Sequence, residues 1–240
     1  MTKRCCTLAT GIGALILAHA VQLGATIIPG QVDDFEDGGL QSWQAGGSVN
    51  PVGPTNVSTG GPTGVDDNFL RLRSNGSTSA GGKLVAFNAD QWAGDYLTMG
   101  VGSFQIQVNN LGATDLVLRL ILENSTVGQS AGTLTPVHLP AGSGWSTVSF
   151  SLAPDNLSGG IASTVLSNVT TLNLVHSPNA IIARSSAPNI VAELGVDNSV
   201  AVPIPEPTTL LMAASGAVIM LVHRRRNAAV DPYAGSNRLH

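Results

Sequence analysis

Only 11% of the 240 residues are charged and 4% are aromatic, with 28 glycines, a composition of short strands and turns that does not suit a helical bundle. The formal charge is −4, but most basic residues lie near the two ends, so the body from 21 to 205 sets Arg71, Arg73, Lys83, Arg119 and Arg184 against thirteen acids, about −8. An acidic body without a basic patch argues against nucleic-acid binding.

The first element is a transport segment. Lys3 and Arg4 precede the apolar stretch Leu8 to Ala18, and Ala18-His19-Ala20 supplies small residues at its first and third places. A basic start, a short apolar run and an A-x-A site predict a signal peptide over residues 1–20, with signal peptidase cutting after Ala20 and Ala25 as a second choice. Cys5 and Cys6 are the only cysteines and leave with it. The mature chain then has no disulfide, no catalytic thiol and no Cys-ligated zinc.

The body opens with Val32-Asp33-Asp34-Phe35-Glu36-Asp37-Gly38 and reaches Trp43. On a strand, Asp34 and Glu36 share one face while Phe35 points to the core. Strands follow at Asn68 to Arg73 and Lys83 to Phe87. Phe104, Ile106 and Val108 alternate with Gln105 and Gln107, and Leu116, Leu118, Leu120 and Leu122 form one face of the next strand. Trp145 to Leu152 alternates again, Leu172 and Leu174 mark a further strand, and Val191 to Val200 the last. A short helix is predicted only around Ile161 to Ser167, and Gly/Pro/Asn/Ser-rich loops separate the elements. Seven to nine such strands predict one all-β domain over 21–200, an antiparallel jelly-roll β-sandwich, with a barrel as the alternative.

The opening Asp34-Phe35-Glu36-Asp37-Gly38 with Trp43, and the closing Leu194-Gly195-Val196-Asp197-Asn198, resemble the first and last strands of jelly-roll carbohydrate-binding modules. That resemblance implies adjacent first and last strands sharing a structural calcium ion, with Asp34, Glu36 and Asp197 as its ligands. Calcium takes six to eight oxygen ligands drawn from several segments, which such a set begins to supply. Asp66 and Asp67 are further candidates. The alternative is that these acids are solvated charges that keep a strand edge from pairing.

Nothing in the body identifies a catalytic site. His138 and His176 stand near strand ends, and no serine occupies a Gly-x-Ser-x-Gly elbow. Sugar binding needs exposed rings: Trp92 and Tyr96, in the loop-like segment 91–96, are the candidate ligand platform, whereas Trp43 and Trp145 are read as core. Aromatic residues are few for a dedicated lectin.

The last element begins with a linker, 201–209, that contains Pro205-Glu206-Pro207. The apolar run Leu210 to Val222 follows, then Arg224, Arg225 and Arg226 in a basic tail, 223–240. Thirteen helical residues cover only ~20 Å against a hydrocarbon core of ~30 Å. Snorkelling arginines extend the span, and the positive-inside rule puts them in the cytoplasm, so 210–222 is predicted as a single transmembrane helix. The ordered set Pro205-Glu206-Pro207, apolar helix, Arg224-Arg225-Arg226 resembles the PEP-CTERM sorting signal of exopolysaccharide-producing Gram-negative bacteria. It implies recognition and cleavage by an exosortase, although 227–240 extend past the usual stop. The sequence thus predicts an exported, non-enzymatic envelope or matrix protein, membrane-anchored before tail cleavage. The alternative is a carbohydrate-binding module acting on extracellular polysaccharide.

Overall fold

The period-two patterns become two antiparallel sheets. In the computed structural model, residues 26–46 and 49–205 are described. Ala18, Ala20, Glu206, Pro207, the apolar run 210–222 and Arg224 to Arg226 lie outside the described residues. Among the described residues, no helix is long and apolar enough to cross a membrane.

The first sheet runs β2 (Thr55–Val57), β3 (Phe69–Asn75), β12 (Val191–Pro203), β5 (Val101–Asn110) and β9 (Ser146–Ser151), with β1 (Val32–Asp33) also paired to β12. The second runs β10 (Leu157–Gly159), β7 (Gln129–Thr133), β6 (Leu116–Asn124), β11 (Thr171–His176) and β4 (Val85–Asn88), with β8 (Val137–Leu139) on the start of β6. Their inner faces supply Leu70, Leu72, Phe104, Ile106, Val108, Leu118, Leu120, Leu122, Leu194 and Val196, all buried in one core. On β5 the intervening Gln105 and Gln107 stay partly exposed, as the alternation requires. The jelly-roll sandwich expected from the pattern is the fold, and α1 (Ala162–Leu166) falls inside the predicted helical window.

Two local expectations change. The opening strand is only two residues long: Phe35 adopts φ 57°. The chain turns off the sheet there, so Asp34 and Glu36 do not share a strand face, although Phe35 is fully buried. At the other end, the expected linker at 201 begins inside a strand. The backbones of Ala201 and Val202 pair with Phe104 and Ser103, and β12 reaches Pro203. Proline fits there because the register shifts at that point and asks for no ladder N–H.

Candidate functional site

Trp92 and Tyr96 are not a ligand platform. Both rings are buried, at 0% and 1% exposure. Burial of an indole demands a partner for its N–H, and Asp33 supplies it. Its Oδ2 accepts Trp92 Nε1 at 2.6 Å and Trp43 Nε1 at 2.7 Å, and Gln91 Nε2 donates to the same carboxylate at 3.2 Å. Trp43, Trp92 and Phe104 pack ring against ring at 4.8–6.5 Å around this carboxylate. Burial pushes the Asp33 carboxyl up from its ordinary value, and the three donors pull it only part of the way back. The Tyr96 hydroxyl donates to the Trp92 carbonyl at 2.8 Å, and burial pushes its phenol well up. The loop 91–96 is therefore a plug for one end of the sandwich.

A second group of acids gathers on the outer face of the first sheet. Asp197 sits where β12 shifts register against β5, next to Asn198 at φ 44°. Its carboxylate is fully buried and accepts Asn198 N–H at 2.7 Å and Asn198 Nδ2 at 2.9 Å. Burial, together with repulsion from Asp67, Glu36 and Asp34, pushes it up to about 7 against the pull of the Asn198 N–H. Glu36 Oε1 accepts the Asn68 N–H at 2.9 Å, and Asp34 Oδ1 accepts Glu36 N–H and Gln41 Nε2, each at 3.3 Å. Asp67 lies beside Glu36; burial raises its carboxyl, but donors from Thr63 outweigh this and hold it below the ordinary value. The fold thus places Asp34, Glu36 and Asp197 within electrostatic reach of one another and adds Asp67, while Asp66 is an exposed turn residue at φ 60°. As they stand, no three His, Cys, Asp or Glu side chains among the described residues form a metal-holding group. The donor chemistry nevertheless suits a hard cation: it is all oxygen, and the buried Asp197 carboxylate has no cationic partner among the described residues.

Trp145 lies on this same outer face, half-buried, instead of in the core. Its Nε1 donates to the Gly60 carbonyl at 2.9 Å, and its ring meets Phe69 edge-on at 5.4 Å. Gly195 lies directly beneath it, and a Cβ there would stand 2.9 Å from the indole and force the ring to shift.

The outer face of the second sheet carries a cleft of about 480 Å³ lined by Val85 and Phe87 of β4, Lys83, Asn50, Arg184 and Ser185. One wall comes from the segment after β11, which crosses the sheet so closely that a Cβ on Gly132 would lie 2.0 Å from the Ile181 carbonyl oxygen. This crossing sets the Arg184 guanidinium 4.4 Å over the Phe87 ring, with Nη1 donating to Asn173 Oδ1 at 3.2 Å. Asn173 is held by its own Nδ2, which donates to the Ile121 carbonyl and to Glu123. Lys83 Nζ donates to the Ser185 carbonyl. A second depression of about 340 Å³ shares Gly46 and Asn50 with the first and extends to Leu40 and Pro54. None of these lining residues stood out in the sequence. The available signal was Phe87, which falls on the face of its strand opposite the core residues Leu84 and Ala86.

The histidines are placed structurally. His138 is exposed on β8, while His176 is buried at the end of β11, where its Nδ1 accepts the Val117 N–H at 3.0 Å and burial holds the imidazole below its ordinary value.

No protein-family model and no curated protein matches the chain. Among solved structures, the family 11 carbohydrate-binding module of a cellulosomal cellulase of Clostridium thermocellum is similar over 75% of this chain and 98% of that one, at 14% identity and a TM-score of 0.50. The family 11 module in complex with a β-1,3-1,4-mixed-linked tetrasaccharide is similar over 75% of this chain and 99% of that one, at 13% identity and a TM-score of 0.50. An exo-β-agarase is similar over 72% of this chain, at 13% identity and a TM-score of 0.52, and the likeness spans 25% of that longer chain. At these identities the likeness is one of fold: the body has the architecture of jelly-roll carbohydrate-binding modules.

Proposed function

We propose that the body is a non-enzymatic module that binds polysaccharide in the cleft over Phe87. The observation that carries this reading is a half-exposed aromatic ring in a polar-rimmed cleft, set on a sandwich whose solved likenesses include carbohydrate-binding modules. The Phe87 ring with the Arg184 guanidinium laid over it offers a flat floor for a sugar ring, and Asn50 with the turn backbone suits its hydroxyls. Affinity electrophoresis against neutral and charged polysaccharides tests it: retardation by at least one polymer, weakened by Phe87→Ala, is expected, and no retardation across the set would sink it.

Export belongs to the same proposal. The basic, apolar and Ala18-His19-Ala20 order supports removal of residues 1–20 by signal peptidase, and Pro205-Glu206-Pro207 with the Arg224 to Arg226 cluster supports membrane anchoring and exosortase cleavage. The module would then act at the cell envelope or outside the cell. The intact mass of the protein recovered from producing cells checks both cuts, and a full-length mass would refute them.

A structural calcium ion is proposed at Asp34, Glu36 and Asp197, with Asp67 beside them. When bound it would neutralise the repulsion that these carboxylates impose on Asp197. Added calcium is expected to raise the Tm, EDTA to reverse the rise, and Asp197→Asn to abolish it; an unchanged Tm in the wild type would count against the ion.

A further inference from the structure

We propose that the polymer recognised in this cleft is anionic, carrying carboxylate or sulfate groups along its sugar chain. The inference rests on the cleft being the polysaccharide site and adds the chemistry of its ligand. The body holds five basic side chains against thirteen acids, yet two of the five, Lys83 and Arg184, line one cleft that contains no acid. The ion pair found among the described residues, Arg71 with Glu193 at 3.7 Å, involves neither of them. Arg119 is also accounted for, because it is buried and donates to the carbonyls of Thr133, Leu134 and Ser177. Arg73, on β3 of the first sheet, lies outside the cleft and has its Nε buried without a hydrogen bond. Within the cleft, Lys83 and Arg184 are cations without an ion pair among the described residues.

Their setting suits anion capture. Arg184 is held in place by the Phe87 face and by Asn173, so its fork is oriented before a ligand arrives. Of its five N–H donors, Nη1 is the nitrogen engaged with a side chain, which leaves donors for a bidentate carboxylate or sulfate. Lys83 is tethered through the Ser185 carbonyl on the same wall and keeps further ammonium protons. A neutral sugar would use neither charge. Elsewhere the acidic surface repels a polyanion, and since surface fields fade over ~10 Å at 0.1 M salt, the local cations decide where it docks.

The test is affinity electrophoresis of the whole body with a uronate polymer (polygalacturonate), a sulfated polymer (carrageenan) and neutral mixed-linkage β-glucan, at low salt and at about 300 mM salt. The expected result is retardation by the uronate or the sulfated polymer at least ~10-fold stronger than by the neutral one, falling at the higher salt. The arm that responds identifies the acidic group. Lys83→Gln and Arg184→Gln should each weaken it by ~5–10-fold, while Arg71→Gln, a cation outside the cleft, leaves it unchanged. Lys83 lies at a turn, so its variant remains informative if replacing Arg184 disturbs packing on Phe87. Equal binding of neutral and charged polymers, or equal loss with Arg71→Gln, overturns the anionic ligand and leaves the polysaccharide reading standing. Retardation by no polymer overturns both.

Discussion

The two sheets turn opposite chemistry outward. The outer face of the first gathers Asp34, Glu36, Asp67 and the buried Asp197, which repel one another. The outer face of the second gathers Lys83 and Arg184 around Phe87 with no acid in the lining. The separation is one of clusters and not of whole faces, since Arg71 and Arg73 stand opposite the core residues of β3 on the first sheet and Glu123 stands on β6 of the second, where it accepts from Asn173. The acidic cluster is the place proposed for a metal ion and the basic one the place proposed for a ligand, and the two lie on different sheets. Perturbing either should leave the other largely intact.

The largest perturbation should weaken the whole domain, because Asp33 holds two buried indoles of the core. Asp33→Ala strands two buried indole N–H groups and opens a void, at a cost of about 3–5 kcal/mol. Urea unfolding measures it, and a loss under about 1 kcal/mol would show that the indoles find other acceptors.

Gly132→Val should strike the cationic face alone. The new side chain must push the Ile181 backbone away, which carries Arg184 off Phe87, for about 2–3 kcal/mol and loss of polymer binding. The calcium response of the other face should persist, and its disappearance would break the independence of the two.

Asp197→Asn should act on the acidic face, with a pH signature. A carboxyl raised to about 7 in the folded state keeps its proton where the unfolded chain, near 3.8, has lost it. Without calcium, Asp197 therefore favours folding at acid pH, and this benefit is lost as pH rises from about 4 through about 7. The stability of wild type relative to Asp197→Asn should fall by about 1–3 kcal/mol over that rise, read from Tm at pH 5 and pH 8. Bound calcium needs the ionised carboxylates and should reverse the trend, so a difference independent of pH in EDTA would show that Asp197 is ionised throughout. The buried His176 pulls the other way below its ordinary value, which is why the variant serves as the reference. The smallest structural effect belongs to Phe87→Ala, under about 1 kcal/mol in stability with about a tenfold loss of binding, checked by calorimetry beside the Tm.

Much of the sandwich was legible because alternation is a local property. Phe104, Ile106 and Val108 declare their face whatever lies opposite them, and so do Leu118, Leu120 and Leu122. The short strands Gln129–Thr133, Val137–Leu139 and Leu157–Gly159 are too brief for alternation to declare them, and their pairing depends on neighbours distant in sequence. The acids were half legible. Asp34, Glu36 and Asp197 do draw near one another, but the left-handed turn at Phe35, not a strand face, brings them there. Trp92 and Tyr96 looked wet because Gln91, Asp95 and the glycine around them are polar or turn-forming. Their burial depends on Asp33, some sixty residues away, accepting an indole proton. The cleft was invisible for the same reason, since Arg184 and Phe87 meet only after the chain has crossed the second sheet.

The position of β12 has a temporal consequence. It is the last strand of the body in chain order, yet β3 lies along one side of it and β5 along the other, and β1 joins it as well. A ribosome delivers residues 191–203 after every other strand of the body. Until they emerge, β3 and β5 have no shared neighbour and the first sheet is three separate pieces, β2 with β3, β5 with β9, and β1. Closing it requires contacts of long sequence separation, which form slowly. The first sheet therefore stays unfinished through most of synthesis, and the strand that completes it is the one just before the Pro-Glu-Pro segment.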